Sequence, residues 1–166
     1  MTEGSKIVHG FVHGRPRMQG SVSPIAYRKK NGRMGVNVFQ KPELLNWRDL
    51  IAADVKEKTE GEQYFPKGTP VFVHLHFYFV KPKSFKGTHP VTRSSGDIDK
   101  CARAVLDALS QSGVYDDDSQ VVYLISEKMY VNSEEEQGLE YFVGEYSPTF
   151  KQTVSTERLR SYLCQD

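Results

Sequence analysis

The segment GDIDKCARAVLDALSQSGVYDDDSQVV, Gly96 to Val122, holds the residues whose types and spacing could do chemistry. Asp97 and Asp99 stand one residue apart at its start, Asp116, Asp117 and Asp118 close it, and Arg103 lies between. Carboxylates gathered this closely repel one another unless a cation neutralises them. Mg²⁺ suits such a place, because it takes one or two carboxylates and keeps water and substrate phosphate as its other ligands. Mg²⁺ or Mn²⁺ held there would acidify a bound water and neutralise charge on a phosphoryl oxygen. Acids for metal beside bases for phosphate is the chemistry of phosphodiester hydrolysis.

A helix is needed to position these groups. Ala102, Val105, Leu106 and Leu109 recur at i, i+3, i+4, i+7 and make one buried stripe, so a helix is expected over about Lys100–Ser110. A short turn then lets the chain fold back, with Asp118 just ahead of a strand beginning near Val121. Each residue also has a plain structural role. Asp99 can cap the helix, Arg103 and Asp107 can pair four residues apart, and Asp116–Asp118 can serve as a polar turn. Capping leaves Asp97 unexplained, however, and three adjacent aspartates are a poor choice for polarity alone.

Charge supports the phosphate reading. The net charge is +1, yet before Glu43 the only acid is Glu3, against Lys6, Arg15, Arg17, Arg28, Lys29, Lys30, Arg33 and Lys41. Lys81, Lys83, Lys86 and Arg93 form a second basic run, and from Asp116 to Glu145 acids dominate. A near-neutral sum thus conceals a basic front and an acidic back. That distribution fits a polyanion held near bound cations; solvated surface lysines are the plainer alternative.

The rest of the chain reads as a scaffold. At 166 residues with 38% hydrophobic and 26% charged residues, one domain with a real core is expected and wholesale disorder is not. Cys101 and Cys164 show no metal-type spacing and read as free thiols of a reduced, cytoplasmic protein. No signal-type apolar run opens the sequence and no stretch is long enough for a membrane span. Strands are expected at Lys6–Val12, in a Tyr27–Phe39 hairpin turning at Asn31-Gly32 (type I′), and at Val71–Val80, Val121–Val131 and Leu139–Tyr146. Val71–Val80 is apolar on both faces and belongs centrally in the sheet. A helix is expected over Pro42–Lys58, with Leu44, Trp47, Ile51 and Val55 on one face. A short one is expected over about Ser155–Leu163. This order predicts an α+β fold: a small single domain over residues 1–166, a mixed β-sheet with helices packed on it, and a C-terminal extension from about residue 147.

With these residues in view, the pattern D-x-D-x-x-x-R-A-V-L-D-A-L, then a Gly, an aromatic and D-D-S-Q-V-V, resembles the RusA family of Holliday junction resolvases. The likeness is densest over Asp97–Lys128; before Pro70 it is one of layout, and from Gly144 onward there is no counterpart. The resemblance implies a homodimeric endonuclease of phage or prophage type. It would cut four-way DNA junctions with Mg²⁺ or Mn²⁺ in a bacterial cytoplasm, bound to no membrane. It implies that Asp97, Asp99 and Asp118 hold metal and that Arg103 stands where the family has an important lysine. Asp107, Asp117 and Gln120 fall in supporting positions, and Lys128 matches a basic residue that could approach phosphate. Lys81, Lys83, Phe85, Lys86, Arg93 and Lys100 complete the expected DNA-binding set, with Phe85 a wedge or stacking platform among lysines.

Two departures from the family pattern matter. Lys100 replaces the usual Asn and can reach phosphate or compete with metal for its neighbouring carboxylates. Arg103 keeps a lysine's charge but cannot give up a proton near neutral pH. They leave two alternatives open: a branched-DNA-binding protein with weak or no cleavage, and a metal-dependent nuclease of another substrate class. His74 and His76 share a strand face without a third ligand, and His9 and His13 lie in an extended segment, so all four read as sheet or core histidines. GRPRMQGSV, from Gly14, is either a phosphate-binding segment or an exposed loop.

Overall fold

The computed structural model describes residues 6–20, 24–38 and 40–148. The helix expected over Ser155–Leu163 and nearly all of the expected extension lie outside these residues. Strands β1 (Ile7–His13), β2 (Pro24–Arg28) and β3 (Met34–Val38) are followed by α1 (Pro42–Lys58) and β4 (Val71–Val80). Then come α2 (Ile98–Ser112), β5 (Val121–Val131) and β6 (Gly138–Glu145). The main sheet runs β1-β6-β4-β5; β4 pairs parallel with β5, and the other pairs are antiparallel. This is the expected mixed sheet of an α+β fold, with β4 internal. No helix among the described residues is long and apolar enough to cross a membrane.

Both helices bury one stripe on one face of the sheet. Trp47, Ile51 and Val55 of α1 meet Val8 and Val12 of β1, Val73, Leu75 and Phe77 of β4, Leu139 and Tyr141 of β6, and Val105 and Leu109 of α2 in one core. Pro42 opens α1, and Glu43 in its first turn with Lys56 and Lys58 in its last complement the helix dipole. Cys101 is a free, buried thiol whose pKa burial pushes up to about 11, so it stays protonated at neutral pH.

Two local expectations are corrected. The hairpin turn is not a two-residue type I′ turn on Asn31-Gly32. Gly32 N donates to Lys29 O and Lys29 N to Arg33 O, so Lys30, Asn31 and Gly32 form a three-residue loop. Only Gly32 takes a positive φ (79°) there, the glycine position of a turn closed by a bulge. The second correction concerns α2. It begins at Ile98 and its N-cap residue is Asp97, whose side chain makes no cap hydrogen bond. Asp99 therefore sits inside the first turn, where it meets the positive end of the dipole without capping it.

The other face of the sheet carries Phe72 and Phe142, with His74, His76 and Glu140 buried beside them. His9 Nε2 lies 3.2 Å from Glu140 Oε1 and its ring stacks on Phe142 at 4.3 Å, and Tyr78 Oη donates to Glu140 Oε2 at 3.0 Å. His74 is 4% exposed. Burial first, then the neighbouring His76, lower its pKa from 6.5 to about 4, with Glu140 opposing. Above pH 6.5 His74 is neutral in both folded and unfolded chains, and its burial adds no pH-linked cost. As pH falls from 6.5 towards 4 the unfolded chain binds a proton that the folded one refuses, so stability falls and then levels. Urea unfolding at pH 7 and pH 4 should show His74 costing at most about 3 kcal/mol. His74→Phe should flatten the curve in that window; an unchanged slope would remove the assignment.

Candidate active site

Asp99, Ala102, Arg103 and Leu106 of α2 follow one ridge of the helix and line a cleft of about 490 Å³ with Gln19, Lys100, Asp118 and Leu124. At 1.5 Å rise per residue the ridge from Asp99 to Leu106 spans about 10 Å. Asp99, Arg103 and Asp118 are exposed. The helix and its return turn thus bring two of the sequence-assigned aspartates and the arginine to one opening. Among the described residues no three His, Cys, Asp or Glu side chains are gathered at metal-ligand spacing.

Asp97 faces a neighbouring cleft, lined also by Arg17, Gly20, Gln40, Lys41, Arg93 and Lys100. The reason is Lys100, whose Nζ lies 2.6 Å from Asp97 Oδ2. The hydrogen bond from Lys100, reinforced by its charge, holds the Asp97 carboxyl below the usual range and raises the lysine in return. Gln19 and Lys100 line both openings. The family departure at Lys100 is therefore visible as geometry: the ammonium occupies a carboxylate that the sequence pattern assigns to metal.

The closing turn sorts the three consecutive aspartates. Asp117 Oδ1 accepts from Ser119 N at 2.9 Å and caps the short turn Asp118–Gln120, and hydrogen bonding first from the Ser119 side chain and then from its amide lowers the Asp117 pKa. Gln120 Oε1 accepts from Asp116 N (2.9 Å) and Asp117 N (3.2 Å). Its Nε2 donates to Pro66 O (2.9 Å) and Thr69 O (3.1 Å). Gln120 thereby ties the turn to the loop ahead of β4, leaving Asp118 to the cleft.

Asp107 does not pair with Arg103. Its Oδ2 lies 3.8 Å from Arg48 of α1, because this side of α2 packs against that helix. Arg103 has no ion pair among the described residues, so its guanidinium is open to the cleft. Arg93 lines the Asp97 cleft, whereas Lys81, Lys83 and Lys86 line neither. Phe85 is half-buried, its ring 5.6 Å from that of Tyr130 in an edge-on arrangement.

The strap Arg15–Gln19 was not resolved by sequence between a phosphate-binding segment and an exposed loop, and it is neither free nor fully exposed. Arg15 Nη2 donates to Ser94 O (2.9 Å), Asp97 N to Met18 Sδ (3.2 Å) and Gln19 N to Lys100 O (3.0 Å). Gln19 is only 9% exposed, and its Oε1 is buried without a hydrogen-bond partner among the described residues. The only hint in sequence was the segment GRPRMQGSV itself, within the basic front; the pairing spans some eighty positions.

Lys128, expected to approach phosphate, makes hydrogen bonds within the fold. Its half-buried Nζ donates to Gly96 O at 2.7 Å and Ser95 Oγ at 3.3 Å, fixing the residues ahead of Asp97.

The fold and this cleft define a small α+β protein that presents acids and an arginine at the end of a parallel β-α-β unit. Comparison with known families matches residues 19–138 of the 166-residue chain to Endodeoxyribonuclease RusA, and the chain belongs to the RusA endodeoxyribonuclease family. It is accordingly a nuclease, a hydrolase of DNA phosphodiester bonds. Comparison with curated proteins returned no match.

Lys128→Met should destabilise the protein by roughly 1.5–3 kcal/mol, the worth of charged hydrogen bonds, in urea titration. The salt dependence of DNA binding should not change. A reduced salt slope with unchanged stability would instead return Lys128 to the DNA surface.

Proposed function

We propose that this endodeoxyribonuclease resolves four-way DNA junctions as a homodimer, using Mg²⁺ or Mn²⁺ held in the α2 cleft. The observation that carries the reading is the convergence of Asp99, Arg103 and Asp118 on one opening. The donors there suit a hard cation. Asp99 and Asp118 are exposed carboxylates, and the orphaned Gln19 Oε1 is a buried amide oxygen between the two clefts. Oxygen donors of these kinds are what Mg²⁺ and Mn²⁺ take. Asp99 and Asp118 would hold the ion, and Asp97 would join them on release by Lys100. When bound, the ion supplies an acidified water and offsets charge on a phosphoryl oxygen.

The chain's own residues do the rest. Arg103, midway along the ridge, holds the scissile phosphate bidentately and meets the charge that develops on it. Because the guanidinium keeps its proton, the leaving oxygen takes its proton from water. Lys100 and Arg93 hold phosphates at the adjoining cleft, and Lys81, Lys83, Phe85 and Lys86 extend contact along the loop before α2. A two-fold pair of subunits suits a symmetric junction, which needs matched nicks in opposed strands. The 2.6 Å pair between Lys100 and Asp97 favours one second reading: a junction-binding protein that cuts slowly.

A synthetic four-way junction, with a linear duplex as control, should receive paired symmetric nicks in Mg²⁺ or Mn²⁺ and none in EDTA. Asp97→Asn, Asp99→Asn and Asp118→Asn should each lower cleavage by about 10²-fold or more while retaining junction binding. Lys100→Asn should lower the metal concentration needed for half-maximal cleavage, since it frees a carboxylate. Tight junction binding without cuts in either metal would replace the resolvase reading with the second one.

A further inference from the structure

The hairpin β2–β3 stands apart from the rest of the molecule. Among the described residues its strands pair only with each other, from Pro24↔Val38 to Arg28↔Met34, and form their own two-stranded sheet. An isolated two-stranded hairpin is at best marginally stable in water. This one leaves Ile25 62%, Met34 66% and Val36 62% exposed. Such a ribbon is built to be covered.

Charge indicates by what. Arg28, Lys29, Lys30 and Arg33 surround the turn, all exposed, and none has an ion pair among the described residues. No carboxylate occurs in the sequence between Glu3 and Glu43. A second copy of the hairpin would therefore bring cations and no acid to meet them. A polyanion meets all four.

Placement adds the second argument. Gly20 and Gln40, on either side of the hairpin, both line the cleft that holds Asp97 and Lys100. The ribbon thus rises from the rim of the candidate active site. Five-residue strands at about 3.4 Å per residue reach roughly 17 Å, half of the roughly 34 Å helical turn of duplex DNA. A two-stranded β-ribbon is also an element that the major groove of B-DNA admits.

We propose that the β2–β3 hairpin is a DNA-binding arm that lies along a duplex arm of the substrate. Its turn cations contact phosphates about half a helical turn from the phosphate in the cleft. Met34 and Val36, which share one face of the ribbon with Arg28, lie against sugars and base edges. The proposal rests on the reading that the cleft cuts DNA, and it assigns the hairpin the task of orienting the duplex beside that cleft. Binding by phosphate neutralisation has a measurable signature, because each contact contributes about 0.9 to the slope of log K against log salt concentration.

The test uses the full chain and a fourfold variant, Arg28→Gln, Lys29→Gln, Lys30→Gln and Arg33→Gln. All four sites are exposed, so thermal unfolding should be unchanged. Binding to a four-way junction is measured in EDTA by fluorescence anisotropy between 50 and 200 mM salt, as a practical range of about fourfold. The variant should lose about 3.6 from the slope for each hairpin engaged, so its affinity across that range should fall at least roughly 100-fold less than that of the wild type. On junctions whose arms are cut to less than half a helical turn, the two proteins should bind alike. Equal slopes on long arms, with a wild type that binds and cuts the junction, would overturn the arm and leave the nuclease reading standing. So would a shift from dimer to monomer by Ile25→Ser, Met34→Ser and Val36→Ser together with equal slopes, which would make the ribbon a protein interface. A wild type that neither binds nor cuts DNA would overturn both.

Discussion

The hydrogen bond of 2.7 Å from Lys128 to the carbonyl of Gly96 is the contact on which the acidic end of the molecule depends. It joins β5 to the residue that sets where α2 begins. Gly96 can accept the bond there because it takes a φ of 77°, and because a Cβ would overlap the Met18 sulfur. Met18 in turn accepts from the Asp97 amide. Strap, helix start and strand are thus locked through one glycine. Starting α2 one residue later would turn each side chain by about 100° around the axis and carry Asp99 and Arg103 off the cleft ridge.

The fold was legible where the information is local. Val71–Val80, with apolar residues on both faces, placed itself inside the sheet, and the spacing of Leu44, Trp47, Ile51 and Val55 placed α1 to the residue. The acidic motif was legible as chemistry because its helix stripe and return turn are also local. What sequence could not supply was direction at the ends. Whether Asp97 or Asp99 caps α2 depends on the backbone of Gly96, and whether Arg103 or Arg48 reaches Asp107 depends on how α1 and α2 cross. Gln19 was indistinct for the same reason. Its role comes from a backbone bond to Lys100 and from a buried oxygen, neither of which leaves a trace in spacing.

The two halves of the charge pattern have different physical standing. Of the acids from Asp116 to Glu145 only Glu140 is buried; the others are exposed, some of them hydrogen-bonded locally. Glu136 Oε2 accepts from the Asn132 and Ser133 amides, and Glu140 meets His9 and Tyr78. In the basic front Arg15 is held by Ser94 O, whereas Arg28, Lys29, Lys30 and Arg33 are solvent-facing, with no acid near them in the sequence. A net charge of +1 therefore reports a balance of composition, while exposed cations and exposed acids are segregated along the chain.

This asymmetry bears on how two adjoining clefts could act as one site. Asp97 and Lys100 are 63% and 41% exposed at the side chain, and an exposed pair of this kind is screened and contributes little to stability. Nothing buried has to open for it to part. A phosphate entering between Arg103 and Lys100 gives the ammonium a second anion and loosens its hold on Asp97. A divalent cation competes for the same carboxylate from the other side. Both effects act in the same direction, so under the proposed function the third aspartate would become available when substrate and metal arrive together. The lysine that separates the acids in the free protein would then serve the phosphate in the complex.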